Sequence, residues 1–128
     1  MTVLALDPGE TTGFALGRVI ENHIKILEQG EIKSFHGLDS LIEQCRDCVF
    51  ERFINRGPWL NTEPLEVIGV IKYLAGVHQI VLEMQAPEDR RFGMCRFSNI
   101  KFESHHGDAL AHLLTYTYRK YGVRYAEA

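Results

Sequence analysis

The sequence predicts an α/β fold with a five-stranded mixed sheet, in which three antiparallel strands precede two parallel ones and helices cover both faces. Three apolar stretches near the N-terminus are separated by the turn signals "PGET" and "ENH", a pattern typical of a meander of hairpins. Helical and strand patterns then alternate along the rest of the chain. Such alternation is typical of parallel strands joined by crossover helices.

Composition limits the domain count and the broad class of the protein. The 128 residues are enough for one domain with a sizeable core and too few for two lobes around a cleft. The apolar share of 45% and the charged share of 24% are those of an ordinary globular protein. No apolar run approaches the about 18 residues of a membrane span, and the N-terminus lacks a signal-peptide pattern. We therefore expect a single domain over residues 1–128, in the cytoplasm and without membrane contact.

Charge and cysteine content exclude some classes of site. The net charge of −3 disfavours nucleic-acid binding through bulk positive charge but allows local basic patches. Three cysteines are an odd number, which disfavours a disulfide framework and fits a reducing compartment. Cys45 and Cys48 form a C-x-x-C pair that ends a helix and enters a strand, whereas a thioredoxin-like pair begins a helix. No second pair is present to complete a zinc site, so we expect packed thiols.

The first half of the chain predicts three strands, a helix and a fourth strand. The meander strands cover residues 2–7, about 13–20 and about 23–33, where Val, Ile, Leu and Phe are frequent. The stretch "LDSLIEQC" has apolar residues at 38, 41 and 42 and is typical of a short helix. "CVFERF", residues 48–53, is typical of a buried strand that carries an acid near its end.

The second half predicts a helix, a fifth strand and a last helix. "TEPLEVIGVIKYLAG" has Pro64 in its first turn and Gly76 just past its end, and "HQIVLEM" follows as the strand. "SHHGDALAHLLTYTYRKYG" predicts the clearest helix, with Ser104 as an N-cap and Gly122 as a stop. Its apolar stripe consists of residues 109, 110, 113, 114, 117, 118 and 121.

Two acids are predicted to meet at one edge of the sheet. Asp7 ends the first strand, and an uncompensated charge at the tip of a buried strand is costly. Right-handed crossovers place the fourth strand parallel beside the first, and the fifth strand beyond it. Glu51, at the end of the fourth strand, therefore becomes a neighbour of Asp7.

The last helix brings more polar side chains to the same edge. His105, Asp108 and His112 are three and four residues apart and share one flank of the helix. Alone, this pattern is typical of a solvated flank with an acid near the helix N-terminus. With Asp7 and Glu51 nearby, the acids would repel one another unless a divalent cation lay among them. The combination predicts a metal site.

These motifs resemble a known family. "LALDPGETTGFAL", "VFERF" and "HHGDALAHLL", in this order and on these elements, resemble the RuvC-type Holliday junction resolvases of the RNase H-like superfamily. The resemblance covers nearly the whole chain. "TEPLEVIGVIKYLA" and the short length look most like a small phage-encoded branch, which would place the protein in the cytoplasm of a bacterial host. The region between the fifth strand and the last helix is shorter than in bacterial members.

The resemblance implies a role for four residues. The family's first acid matches Asp7, its second Glu51 and its last Asp108, while His105 stands where many relatives have an acid. These residues would hold two Mg²⁺ or Mn²⁺ ions per active site, and two ions about 3.5 to 4 Å apart support phosphodiester hydrolysis. An imidazole among oxygen ligands makes Mn²⁺ more favourable. The implied function is paired cleavage of four-way (Holliday) or other branched DNA junctions, without a nucleotide cofactor.

A homodimer is expected as well. A four-way junction with two cuts calls for a two-fold symmetric enzyme. The helix from about residue 62 to 75 carries more apolar side chains than one face of a sheet can bury, and it resembles the dimer-forming region of the family.

Glu83 is the alternative to Glu51 as the second acid. "IVLEM" carries an acid near the end of its strand, much as "CVFERF" does. The predicted strand order favours Glu51, because the fourth strand adjoins the first and the fifth is one step further out. Glu83 is then a rim or structural acid.

Two stretches are candidates for contact with DNA. "DRRFGMCRFSNIKF" interleaves cations with Phe side chains, which suits phosphate contacts and base stacking. "RFINRGPWLN" follows Glu51 with two arginines and a tryptophan that could wedge into an opened junction. The candidate residues are Arg52, Arg56, Trp59, Arg90, Arg91, Arg96 and Lys101. Aromatic side chains packed in the core, with solvated charges between them, explain the same patterns, so both interpretations stay open.

Three other functions fit parts of the sequence. An actin-like ATPase lobe also begins with a strand, an acid and a Gly/Thr-rich turn, but it needs two such lobes and the chain has the length of one. Another RNase H-like nuclease, such as one that cuts RNA in hybrids, would share the fold. A junction-binding module with an inactive site is disfavoured because the expected ligands are all present.

Overall fold

A computed structural model describes residues 1–33, 35–55, 57–59, 62–102 and 106–127, apart from the side chain at position 36. Six strands and four helices lie in these ranges. In chain order they are β1 (Thr2–Asp7), β2 (Thr12–Ile20), β3 (His23–Ile32), α1 (Phe35–Gln44), β4 (Asp47–Glu51), α2 (Glu63–His78), β5 (Val81–Gln85), α3 (Asp89–Arg96), α4 (Gly107–Tyr121) and β6 (Tyr125–Glu127).

The strands form one mixed sheet in the order β5-β4-β1-β2-β3-β6. The pairs β1/β2 and β2/β3 are antiparallel, whereas β1/β4 and β4/β5 are parallel. The predicted meander and the predicted neighbours of β1 are therefore confirmed. The carboxyl ends of β1, β4 and β5 meet at one edge, where the two predicted acids lie.

The predicted count of five strands is wrong, because β6 adds a sixth. It pairs in parallel with β3 through residues 125–127, and the ring of Tyr125 stacks on that of His23 at a centroid distance of 5.3 Å. Three residues are too few to show an alternating pattern in the sequence. The strand is held by its pairing with β3 and by the side chain of Ala126, which joins the core.

Each face of the sheet has its own apolar core. On one face, α4 packs against alternating residues of the central strands, among them Val3, Ala5 and Val49. On the other face, α1 and α2 pack against the intervening residues, among them Leu4, Leu6 and Phe50. Because side chains alternate along a strand, Asp7 and Glu51 fall on the α4 face.

Helix α3 occupies part of the stretch expected to contact DNA or to form a loop. It crosses α4 closely at Gly93, where a Cβ atom would lie 2.4 Å from the carbonyl oxygen of Ala111. The hydroxyl of Thr115 donates to the carbonyl oxygen of Asp89 at 2.7 Å. Its eight residues carry little apolar periodicity, so the pattern that reveals longer helices is missing.

More of the surface of helix α4 is buried than the predicted apolar stripe alone would cover. All the residues from 109 to 117 are buried, including the polar side chains of His112, Thr115 and Thr117. The sheet covers one side of the helix and α3 covers another, so the flank expected to be solvated is enclosed. Gly122 ends the helix with a φ of 71°, which confirms it as a stop. The predicted N-cap, Ser104, lies outside the described residues.

The C-x-x-C pair is buried, as expected for packed thiols. Cys45 and Cys48 are free thiols in the core beneath α1 and α2, and burial raises the pKa of Cys45 to about 12. A thiol that stays protonated is a poor nucleophile and metal ligand.

The helices of the described part of the chain are all too short or too polar to span a membrane.

Candidate active site

Three polar side chains end neighbouring parallel strands on the α4 face. Asp7 ends β1, Glu51 ends β4 and Gln85 ends β5. Leu6 pairs with Phe50, and Glu51 pairs with Gln85, so the three side chains form a row across the sheet edge. Asp7 and Glu51 share a hydrogen bond. The carboxylate pair predicted from the topology is present.

Helix α4 adds Asp108 in its first turn and His112 one turn further on. His112 is fully buried, and its Nε2 lies 2.9 Å from Oε1 of Glu51. Because a carboxylate can only accept, Nε2 donates to Glu51. The other ring nitrogen, Nδ1, lies 2.6 Å from Oε1 of Gln85. The imidazole is thus held between the ends of β4 and β5 and fixes the orientation of Glu51.

Helix α3 adds a cation to the acids. The Nε atom of Arg90 lies 3.0 Å from Oε1 of Glu51, and Nη1 lies 2.6 Å from Oδ2 of Asp108. The single N–H of Nε donates to the carbonyl oxygen of Pro87 at 3.0 Å, which anchors the side chain to the loop before α3, so the contact with Glu51 is an ion pair. One guanidinium therefore links the acid of β4 to the acid of α4.

The acids carry strongly perturbed proton affinities. Burial raises the pKa of Asp7 to about 7, and the negative charge of Glu51, the hydrogen bond to Glu51 and the charge of Asp108 add to the shift, which Arg90 opposes. Burial also acts to raise the pKa of Glu51, but the hydrogen bond and charge of His112 and the charge of Arg90 outweigh it and lower that pKa. Burial and the like charge of its neighbours thus make Asp7 easier to protonate near neutral pH than an ordinary aspartate, and a proton on Asp7 is one that it donates to Glu51.

Two of the acids, Glu51 and Asp108, line a surface cleft with a volume of about 630 Å³. Cationic side chains surround this cleft. Arg52 follows Glu51 directly, while Arg90 and Arg91 come from the first turn of α3. The remaining lining residues are Pro8, Phe53, Ile54, Pro87, Glu88 and Met94. The arginines around the cleft can bind the phosphates of a polyanion. The acids below the arginines then lie beside its backbone, where a cut would be made.

The other candidate residues lie in several places. Trp59 is 85% exposed in the segment between β4 and α2. Lys101 is exposed between α3 and α4, and Arg96 packs on the rings of Phe92 and Tyr118 rather than in the cleft. Two candidates, Arg56 and His105, lie outside the described residues.

Glu83 lies one strand away from Glu51 and two residues before the end of β5. It pairs with Val49, its side chain is 51% exposed, and its Oε1 lies 3.5 Å from Nζ of Lys120. Gln85, and not Glu83, occupies the place beside Glu51. The sequence interpretation placed the end of the strand too early and so missed Gln85.

His112 and Arg90 are the other residues whose site contacts the sequence did not reveal. His112 was grouped with Asp108 by its helical spacing, but its burial depends on the cover that α3 provides. Arg90 was a candidate for DNA contact, and in the structure it pairs with two of the acids. The sequence does not predict the start of α3, so it gives no indication that Arg90 would pair with these acids.

The donors at this edge fit a hard divalent cation. Asp7, Glu51 and Asp108 supply carboxylate oxygens, the ligands that Mg²⁺ and Mn²⁺ prefer, and a cation among them would offset the like charges of Glu51 and Asp108 that help burial to raise the pKa of Asp7. Among the residues that the structure describes, no three His, Cys, Asp or Glu side chains are grouped as metal ligands. Glu51 and Asp108 are engaged instead with Arg90.

Comparisons with known proteins show which known fold the chain shares. No protein-family model matches the sequence, and no curated protein matches it significantly. Among solved structures, Thermus thermophilus RuvC superposes with a TM-score of 0.72 at 16% identity, covering 96% of this chain and 98% of that one. The chain has a RuvC-like fold. T. thermophilus RuvC in complex with Holliday junction substrate superposes with a TM-score of 0.73, also at 16% identity, over 93% of this chain and 94% of that one.

Proposed function

We propose that the protein is a divalent-metal-dependent endonuclease that resolves four-way or other branched DNA junctions by phosphodiester hydrolysis. The observation that carries the proposal is the meeting of Asp7, Glu51 and Asp108 at one edge of a RuvC-like sheet, under a cleft rimmed by arginines. The RuvC structure solved with a Holliday junction substrate supports the choice of branched DNA as the substrate class.

Asp7, Glu51 and Asp108 would hold the metal, with His105 as a fourth ligand expected from the sequence. Two bound Mg²⁺ or Mn²⁺ ions would supply an activated water and stabilise the charge that develops on the phosphate. Arg90 must release Glu51 and Asp108 before these carboxylates can bind a cation. A phosphate entering the cleft offers Arg90 a new partner, because a guanidinium pairs with phosphate as readily as with carboxylate.

The protein's own side chains orient the reacting groups. Arg52, Arg90 and Arg91 bind the phosphodiester backbone above the acids, where these cations hold the scissile phosphate against the floor of the cleft. His112 and Gln85 keep the Glu51 carboxylate in one orientation. The exposed Trp59 is placed on the segment that follows the cleft-lining residues, where it would insert at the branch point of an opened junction.

A homodimer completes the proposal. The outer face of α2 exposes Leu65, Tyr73 and Val77, with exposed fractions of 47%, 72% and 55%. Gly69 and Gly76 lie on the same face and meet no other atom within 4 Å of an added Cβ, so a partner helix could approach closely. Two-fold pairing through α2 would supply two active sites for two cuts. An origin in the small phage-encoded branch, acting in a bacterial cytoplasm, belongs to the same proposal.

Cleavage assays with end-labelled substrates test the proposal. With Mg²⁺ or Mn²⁺, we expect the protein to cut four-way and three-way DNA junctions at paired positions and to leave linear duplex and RNA–DNA hybrid intact. Asp7→Asn should abolish the cutting and leave junction binding in place, because it removes a metal ligand and no cationic contact. Cleavage of hybrids alone would favour the RNase H-like alternative, and binding without any cleavage would favour an inactive junction-binding module.

A further inference from the structure

Four side chains of α3 and α4, together with Arg124 just after α4, form a continuous chain of cation–π contacts outside the lining of the cleft. We name it the arginine ladder, and it consists in order of Arg119, Phe92, Arg96, Tyr118 and Arg124. The distances from each guanidinium carbon to the adjoining ring centroid are 4.6, 5.2, 5.3 and 4.2 Å along this order. Each aromatic ring therefore contacts two guanidinium groups, an arrangement stabilised by cation–π attraction, and the two rings also meet edge to face with their centroids 5.2 Å apart.

Within the described residues, two of the three positive charges of the arginine ladder have no carboxylate partner. Nη1 of Arg119 lies 2.9 Å from Oδ1 of Asp89, and the Arg119 side chain is 48% exposed. No carboxylate of the described residues forms an ion pair with Arg96 or Arg124, and both side chains are exposed. Three like charges in one stack repel one another, and a protein with a net charge of −3 has no general excess of cations to explain them. A bound anion would relieve this repulsion.

The ladder is continuous with the cleft through α3. Arg90 and Arg91 line the cleft, whereas Phe92 and Arg96 from the same helix belong to the ladder. Along α4, eleven residues separate Asp108 at the acids from Arg119 at the ladder, or about 16 Å of helix. Because duplex DNA advances 3.4 Å per base pair, this length corresponds to about five base pairs.

We propose that the arginine ladder binds the backbone phosphates of one duplex arm of the DNA substrate, about five base pairs from the cut. This inference rests on the proposed function. The rings of Phe92 and Tyr118 are half-buried and contact both guanidinium groups and each other, which leaves little ring surface for the base stacking that single strands use. Arg119 uses one N–H group on Asp89, and Arg124 uses one on a main-chain carbonyl oxygen. The remaining N–H groups of the three arginines match phosphate oxygens. The contact is therefore to the backbone and independent of sequence.

Junction binding at several salt concentrations tests the inference in an Asp7→Asn background, which prevents cleavage. The test variant is Arg96→Gln with Arg124→Gln. The matched control is Arg18→Gln with Lys25→Gln, which removes two charges on the sheet face opposite α4. We expect the test variant to bind roughly tenfold more weakly near 0.1 M salt and to reduce the slope of log K against log salt by about two. The control should change neither quantity.

A conservative variant separates charge from folding. Arg96→Lys with Arg124→Lys keeps both cations and should restore most of the salt slope, and circular dichroism should show the same fold for all variants. If the Asp7→Asn protein binds the junction and the Gln pair leaves affinity and slope unchanged, the ladder does not contact DNA and the proposed function stands. If the Asp7→Asn protein binds no branched DNA at all, both proposals are overturned.

Discussion

At the scale of single residues, His112 explains how Glu51 is held in the site. A buried imidazole needs partners for both nitrogens, and His112 finds them in Glu51 and Gln85 at 2.9 and 2.6 Å. Groups that orient a metal ligand in this way commonly affect metal affinity as well as activity. In the proposed function, His112 is thus a positioning residue, since it would act on the substrate only through Glu51.

We expect His112→Ala to weaken Mn²⁺ binding and junction cleavage by about 10- to 100-fold, the range found when the partner of a metal ligand is removed. Titration calorimetry with Mn²⁺ in the absence of DNA gives the affinity. His78→Ala is the control, because His78 pairs with Asp39 on the surface of α2 and should leave both quantities unchanged. Equal metal affinity in the wild-type and His112→Ala proteins would contradict the positioning role.

A second buried acid, Asp47, stabilises the opposite end of β4. It is fully buried, accepts a hydrogen bond from the hydroxyl of Tyr116 at 2.7 Å and another from Tyr121, and lies 3.4 Å from Nζ of Lys120. Burial acts to raise the pKa of Asp47, but the two hydroxyls and the lysine outweigh it and lower that pKa below its ordinary value.

A lowered pKa in the folded state means that Asp47 stabilises the fold above pH about 4 and loses this contribution as the pH falls through the folded value. We expect Asp47→Asn to cost about 1 to 3 kcal/mol at pH 7 and the difference from wild type to shrink below pH about 4. Urea unfolding of both proteins from pH 3 to 7 measures it. A difference that does not vary with pH would show that the charge of Asp47 contributes nothing.

At the scale of elements, the sequence predicts the strands that carry the acids but not helix α3, which covers them. The meander and the crossovers follow from strong periodic patterns, and the parity of side chains on β1 and β4 then places Asp7 and Glu51 on one face. Helix α3 has eight residues and four charges in the segment "DRRFGMCR", so no apolar stripe reveals it. The burial of His112 and the ion pairs of Arg90 depend on α3, and they could not be predicted without it.

Helix α2 is the element we expect to form the dimer interface. Leu65→Glu with Tyr73→Glu should convert a dimer into a monomer, because each substitution places a charge in the exposed apolar face. Light scattering at micromolar concentration measures the mass. Leu27→Glu, at an apolar site on β3 that is 40% exposed, is the control and should remain dimeric. A wild-type monomer with full junction cleavage would contradict the dimer.

At the scale of the whole molecule, one sheet edge collects the acids and one outer surface collects the arginines. The strand order brings three chain segments, which are far apart in sequence, to a single acidic floor. Helix α3 lies between that floor and the arginine ladder and contributes cations to both sides. A protein with a small net negative charge can thus present a basic surface next to a cluster of acids, the arrangement that the proposed binding of DNA and metal requires.

The central claim is that Asp7 and Glu51 form one metal-dependent cleavage site, and it depends on the strand order. The most direct measurement is the rate of four-way junction cleavage by Glu51→Gln and Glu83→Gln, with Mg²⁺ or Mn²⁺ present. Glu51 is adjacent to Asp7 on the neighbouring strand, whereas Glu83 lies a strand further out and is half exposed. We predict that Glu51→Gln eliminates cleavage and that Glu83→Gln keeps most of it. Full cleavage by Glu51→Gln, or its loss only in Glu83→Gln, would contradict the account.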